Sequence, residues 1–402
     1  MLGKILGAGT TFLVSLLIAR RFGPEGFGDF TKITTYVAFF FLLADFGLNA
    51  GYLQKTQADR TQVGWWPSLL GLRLAGSLIL VFTALAILSL LPQGQEQGYT
   101  PLVRLGIILL APSIIFQALI TSANAIFQQK LRYSLAALAI LAGSLVTLIL
   151  VWWSTARSVS ILSSVAAILM GSLITALVAL FLARRLEGSG GLSFTGDRLR
   201  QLLLPAVPLG LTLVFDLIYF RADSVILTLT RSTSEVGIYG LAYKVFEVPL
   251  VIPTFFMNVL YPLLLTRKQE FTRLIRKSLI LLLAGGIAAM VASWILAPAL
   301  TLVRPDFSSS IVPFRILTLG LPFFFLSALA LWGLIALGKQ WLLLAIYGPA
   351  MIINICLNLL LVPTYGYFAA AWITVGSEGL ILLVSGSLLL NQLKQNYQGG
   401  RP

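Results

Sequence analysis

The sequence predicts an all-α polytopic membrane protein of about 12 transmembrane helices, in two halves of six related as parallel repeats. Three observations predict it. Of 402 residues, 58% are hydrophobic and only 10% charged, with a mean hydropathy of +0.93, too apolar for a water-soluble globule. Apolar runs recur from end to end, each long enough to cross a hydrocarbon core of about 30 Å. The pattern of the first half returns in the second at a nearly constant offset of 209 residues.

Taken in order, the spans fall at about 3–21, 29–52, 65–91, 102–126, 133–153, 159–183, 200–229, 237–265, 274–300, 311–336, 341–362 and 367–390. The first runs directly into Arg20-Arg21 with no small-residue cleavage site, so it is expected to remain as a membrane helix. Arg20-Arg21-Phe22-Gly23-Pro24-Glu25-Gly26-Phe27-Gly28 then forms a polar hinge, in which Gly-Pro breaks the helix and Gly26 and Gly28 let the chain reverse. The hinge is echoed by Arg231–Gly240, where Gly237 and Tyr239 answer Gly28 and Phe30. Likewise Ile126–Lys130 is answered by Ile335–Lys339.

Between the sixth and seventh spans lies the longest Gly/Ser-rich break, Arg184–Ser193, the natural linker between halves. The expected organisation is an N-terminal lobe at 1–186, a cytoplasmic linker at 187–199 and a C-terminal lobe at 200–402. Because six spans is an even number, both copies enter from the same side, an arrangement that transporters use to build a central site.

A net charge of +14 would suggest nucleic acid in a soluble protein. In a membrane protein it marks cytoplasmic loops, which collect Lys and Arg. With the N-terminus inside, 18 basic residues fall on the cytoplasmic side, Arg73 among them, and 8 on the other, including Arg20, Arg21, Lys32 and Arg157. Both termini are therefore expected in the cytoplasm. The chain has no His and one Cys, Cys356, inside an apolar run. That composition excludes a disulfide framework, a zinc site and His-based catalysis. Gly333–Gln340 fits the first seven positions of a phosphate-binding loop, but Gln340 replaces the magnesium-holding Ser/Thr and a membrane helix precedes it, so no nucleotide is expected.

Charges inside spans are costly, about 2.5–3.5 kcal/mol each on insertion scales, and usually face protein or a wet cavity. The set comprises Asp45, Asp216, Arg221, Asp223, Lys244, Glu247 and Glu378. Asp216 and Asp223 are seven apart on one helix face; Lys244 and Glu247 are three apart and can pair. Two uses are open: substrate or ion contact, or mutual neutralisation of Arg221 with Asp223 and Lys244 with Glu247. Amides form a second layer, with Asn49, Gln117, Asn124, Asn258, Asn354 and Asn358 in or beside spans, suited to interhelical hydrogen bonds or to a sugar. Pro205, Pro208, Pro249 and Pro253 interrupt the seventh and eighth spans, where kinks would serve packing or helix bending.

Four stretches carry a family likeness: Ala19–Gly28; Leu43-Ala44-Asp45-Phe46-Gly47-Leu48-Asn49; Arg221-Ala222-Asp223 followed by Val236–Lys244; and Asn358–Gly366 leading into Ala369–Ala371. Together they resemble the Wzx-type oligosaccharide and polysaccharide flippases of the multidrug/oligosaccharidyl-lipid/polysaccharide exporter superfamily. The resemblance implies a MATE-like V of two six-helix lobes around a cavity open alternately to each side. It also implies movement of a polyprenyl-pyrophosphate-linked glycan across the bacterial cytoplasmic membrane, with glycan polymerases or glycosyltransferases as partners. Its charged cavity positions correspond to Asp45, Asp223, Lys244 and Glu378, with Arg20 at the rim. No cofactor is implied beyond a possible coupling ion, H+ or Na+. Two other functions are weighed: a cation-coupled multidrug antiporter, for which a predominantly acidic cavity is expected, and a membrane glycosyltransferase or polymerase, which would need larger polar loops outside the bilayer.

Overall fold

A computed structural model describes the backbone of residues 2–58, 65–94, 97–157, 160–188, 192–194, 196–339 and 341–399. The middle of the expected linker, at 189–191 and 195, lies outside the described residues. Among the described residues there are fourteen α-helices: α1 (Leu2–Asp45), α2 (Leu48–Ala58), α3 (Trp65–Leu90), α4 (Pro101–Leu110), α5 (Ser113–Gln129), α6 (Tyr133–Ala156), α7 (Ile161–Glu187), α8 (Gly196–Thr230), α9 (Thr233–Phe246), α10 (Val251–Thr266), α11 (Phe271–Leu296), α12 (Ile311–Thr318), α13 (Leu321–Ala336) and α14 (Trp341–Gly399).

The expected apolar runs fall largely on helix, four of them interrupted by short turns at 46–47, 111–112, 247–250 and 319–320, and α14 holds two of them whole. Among the described residues eight helical stretches are long and apolar enough to cross a membrane. Two of these, Gly7–Leu53 and Trp341–Leu393, run 47 and 53 residues, about 70–80 Å at 1.5 Å per residue. The first also turns at Phe46 and Gly47, where α1 gives way to α2; within the helices themselves each kink falls at one glycine in the left-handed region, Gly23 (φ 69°) in α1 and Gly366 (φ 60°) in α14. A side chain there would strain the backbone, which explains glycine at both breaks. The break in α1 is confined to Gly23: Pro24 opens the next helical segment, where its missing N–H costs nothing, and Gly26 and Gly28 are helical. Where a reversal over Gly23–Gly28 was expected, the helix is kinked at one residue, and Gly28 serves another purpose.

Helix boundaries repeat within a few residues of the offset of 209. The α4–α5 break after Leu110 is matched by the α12–α13 break after Thr318, and α3 by α11. Contacts group the chain into two compact units, residues 1–217 with 232–237, and 218–231 with 238–402. In the first unit, α1 packs on α4, α5 and α6, and α7 packs on α4, α5 and α6. In the second, α13 packs on α10, α11 and α14. Small residues permit the closest approaches. Where α6 crosses α7, a Cβ on Gly143 would lie 1.8 Å from Thr175 Oγ1, and one on Gly171 would lie 1.7 Å from Thr147 Oγ1.

Gly28 and Gly237 are used the same way within the first unit. A Cβ on Gly28 would lie 1.9 Å from the carbonyl oxygen of Thr233, and one on Gly237 would lie 1.8 Å from that of Pro24. Because Pro24 and Thr233 are themselves 209 residues apart, the contact is reciprocal: each repeat offers its glycine to the carbonyl of the other. Lys32, fully buried, fastens the crossing by donating to Thr233 Oγ1 at 2.7 Å and to the Gly98 carbonyl at 3.0 Å. Outside these seams the helices present large apolar side chains, such as Ile79, Phe82 and Leu90 on α3 and Ile280 and Leu281 on α11, as lipid-facing surfaces require.

Candidate functional site

In the second unit, ionisable and polar side chains from α8, α9, α13 and α14 form three connected groups. On α8, Asp223 is buried, and its carboxylate accepts the Tyr239 hydroxyl of α9 at 2.5 Å and the Ser224 backbone N–H at 2.6 Å. Thr374 Oγ1 of α14 stands 3.4 Å from the same carboxylate while donating to the Ala370 carbonyl. One helical turn along α14, buried Glu378 takes the Ser327 hydroxyl of α13 on one oxygen and the Tyr219 hydroxyl of α8 at 3.3 Å on the other. Both carboxyls are thus held by hydroxyl donors from neighbouring helices, satisfying lone pairs that lipid could not.

The third group is cationic and wetter. Glu247, just beyond α9, receives Arg221 Nη2 at 3.1 Å and Lys244 Nζ at 2.9 Å, and the three side chains are 28–31% exposed. The Arg221 guanidinium also lies 5.8 Å from the centre of the Tyr243 ring. The expected pairing of Lys244 with Glu247 is present, whereas Arg221 joins the same carboxylate rather than Asp223. Residues two apart on a helix point to opposite sides, so Arg221 and Asp223 serve different neighbours. Two cations on one anion leave a local excess of positive charge with solvent access, suited to charge-assisted hydrogen bonds with a phosphate.

Asn354 and Asn358, four apart on α14, are buried; Asn354 Nδ2 donates to Ser377 Oγ at 3.0 Å and Asn358 Nδ2 to the Asn354 side chain at 3.0 Å. Asn354 thus ties together the two segments of α14 across the Gly366 break and Asn358 bonds within its own segment, with Asn358 Oδ1 left without a hydrogen-bond donor among the described residues. Asn258 is exposed on α10 and joins none of these groups. Asp216 lies on α8 with its side chain outside the described residues.

In the first unit, Asp45 ends α1 and binds Arg73 of α3 at 2.7 Å. Arg73 is inside the α3 span and fully buried, so it is not a loop charge as its sequence position suggested; Lys32 is likewise removed from the opposite side, which leaves the charge bias as it was. Only Nη2 of Arg73 reaches Asp45, and Nε and Nη1 have no acceptor among the described residues. Nearby in sequence, Asn49 is half-buried, with no hydrogen-bond partner for its Oδ1 among the described residues. Asn124 is half-buried on α5, and Arg20 is exposed at the α1–α6 face. Sequence reasoning missed Arg73, Lys32, Tyr219, Tyr239, Ser327 and Thr374. Arg73 carried a usable signal, a charge eight residues into an apolar run; the hydroxyl residues carried none, since Tyr, Ser and Thr are ordinary in spans.

Solved structures share this architecture. A structure titled lipid II flippase MurJ, inward closed conformation, aligns with a TM-score of 0.82 at 17% identity, covering 98% of this chain and 86% of that one. An inward-facing multidrug resistance MATE family transporter of the MOP superfamily aligns at 0.80 with 13% identity, covering 99% and 96%. A MOP superfamily transporter from Pyrococcus furiosus aligns at 0.65 with 14% identity, covering 98% and 93%. No curated protein matches by sequence. The class is therefore that of the polytopic helical membrane proteins with the MATE-like fold. Within it, a family model described as polysaccharide biosynthesis protein matches residues 1–267, and the chain belongs to that family.

Proposed function

We propose that the chain is a flippase that carries a polyprenyl-diphosphate-linked oligosaccharide across the bacterial cytoplasmic membrane by alternating access, supplying polysaccharide assembly and working beside glycan polymerases or glycosyltransferases. Both termini lie in the cytoplasm on the basis of the loop-charge bias. Two parallel repeats, broadly 1–186 and 200–402, supply the two lobes. The observation that carries this reading is the Arg221–Glu247–Lys244 group, a solvent-accessible cationic cluster at the level of the spans in a member of the polysaccharide biosynthesis family. Arg221 and Lys244 hold the diphosphate, amides contact sugar, and the lipid tail stays in the bilayer. Asp223 and Glu378 are the groups best placed to exchange a coupling proton, because each is enclosed by hydroxyls.

Those two enclosed carboxyls favour a second reading, a cation-coupled multidrug antiporter, and one variant separates the two. Lys244→Ala leaves Glu247 paired with Arg221, so its stability cost is expected to be at most about 1 kcal/mol. Surface glycan in a complemented deletion strain is expected to fall at least tenfold with the protein level unchanged, while drug susceptibility stays constant. Unchanged glycan would assign Lys244 to ion pairing alone, and a drug phenotype without glycan loss would support the antiporter.

A further inference from the structure

A second basic site lies in the first unit and uses none of the residues that form the three groups of the second. A cleft of about 320 Å³ is lined by Leu17, Arg20 and Arg21 of α1 and by Trp152, Thr155 and Ala156 of α6. Its volume falls within the range of about 300–1,000 Å³ usual for small-molecule sites. Arg20 and Arg21 are exposed at the end of the helical segment that Gly23 terminates. Trp152 is 61% exposed, and Arg157 stacks on the neighbouring Trp153 at 4.8 Å. Exposed tryptophans beside arginines at the end of an apolar helix mark the level of lipid head groups, where an amphipathic ring bridges tail and water.

What lies beside the cleft indicates its occupant. On α6, Leu138, Leu141, Leu145, Ile149 and Trp152 are all exposed at spacings of three, four, four and three, a continuous apolar stripe that ends at the cleft. From Leu138 to Trp152 the stripe runs about 21 Å at 1.5 Å per residue, more than half of a hydrocarbon core of about 30 Å. An apolar track of acyl-chain length leading into a pair of guanidinium groups matches a molecule with an anionic head and a long tail. A free anion would have no use for the track, and a neutral lipid none for the paired arginines.

We propose that this cleft binds an anionic phospholipid of the surrounding bilayer, with its phosphate between Arg20 and Arg21 and one acyl chain along the α6 stripe. Arginine suits the task because its planar fork gives a phosphate two parallel hydrogen bonds. Arg20 then anchors lipid and does not line the glycan path. The site stands whether or not the chain moves a glycan, since it uses none of the groups in that reading.

Native mass spectrometry of the full chain in detergent, titrated with phosphatidylglycerol or phosphatidylcholine, tests this directly. Tight retention of phosphatidylglycerol over phosphatidylcholine is expected, weakened about fivefold by removing either arginine and about 25-fold in Arg20→Gln/Arg21→Gln, as surface basic residues contribute to anionic lipid binding. The exposed control Arg273→Gln/Arg276→Gln on α11 should bind like the unmodified chain. In vesicles, phosphatidylglycerol brominated on its chains should quench a component of tryptophan fluorescence that Trp152→Phe abolishes. Equal retention of the two lipids, an unaltered Arg20→Gln/Arg21→Gln variant, equal losses in the control, or quenching indifferent to Trp152 would each overturn the proposal. Preferential capture of undecaprenyl diphosphate over phosphatidylglycerol would overturn it too, moving the cleft to the substrate path.

Discussion

Asp45→Ala is expected to destabilise the protein by about 3 kcal/mol, because it leaves the Arg73 guanidinium charged, buried and without a counter-ion. Arg73 is enclosed by the α3 packing, and its Nε and Nη1 already lack acceptors, so the carboxylate 2.7 Å away is its one neutralising contact among the described residues. The figure sits at the lower end of the range for broken buried pairs, since the Asp45 carboxyl is 34% exposed and water softens the loss. Asp45→Asn keeps an acceptor oxygen and should cost less. Arg73→Met together with Asp45→Asn removes the stranded charge and is expected to recover most of the stability. Thermal unfolding in detergent checks the series. A double variant less stable than Asp45→Ala would show that Arg73 is held by contacts other than this pair.

The second large effect is expected at the glycine crossing. An alanine at Gly28 meets the Thr233 carbonyl and an alanine at Gly237 meets the Pro24 carbonyl, both backbone atoms that cannot rotate aside. The two segments must separate, at a cost of about 1–3 kcal/mol for overpacking. Separation also lengthens the bond from Lys32 to Thr233, taking from a buried ammonium one of its two hydrogen-bond acceptors. Because the two glycines sit at one reciprocal contact, whichever is replaced first opens the gap that the other needs. Gly28→Ala/Gly237→Ala should therefore cost little more than either single change, and amide exchange over residues 233–237 should accelerate in all three. Additive costs, or unaltered exchange, would contradict a shared contact.

Both sites show where sequence reasoning stops. The order of spans was legible because hydropathy and length determine what can cross a bilayer, and the matched break of α4–α5 and α12–α13 follows from the same repeat. The likeness of the two hinges was legible as well, yet it was explained by turn chemistry. Backbone preference says that glycine tolerates a reversal; it does not say that a carbonyl from 209 residues away lies where a Cβ would be. Arg73 was assigned to a loop because a charge near a span boundary fits either side of it, and only the packing of α3 decides. Arg221 illustrates a different limit. Helical geometry already separates it from Asp223, but its actual partner, Glu247, comes from the turn that follows α9. Hydroxyl donors to Asp223 and Glu378 were invisible for the same reason, since their role depends on where α13 and α14 lie in the unit.

The most direct measurement uses proteoliposomes that hold the purified chain and a fluorescent polyprenyl-diphosphate oligosaccharide, with an impermeant glycan-cleaving enzyme added outside. With the flippase present, cleavage should proceed past the half of the substrate initially facing outward towards completion, and Lys244→Ala should return it to the half seen in empty vesicles. Cleavage that stops at half with the folded, unmodified chain would contradict lipid-linked glycan transport.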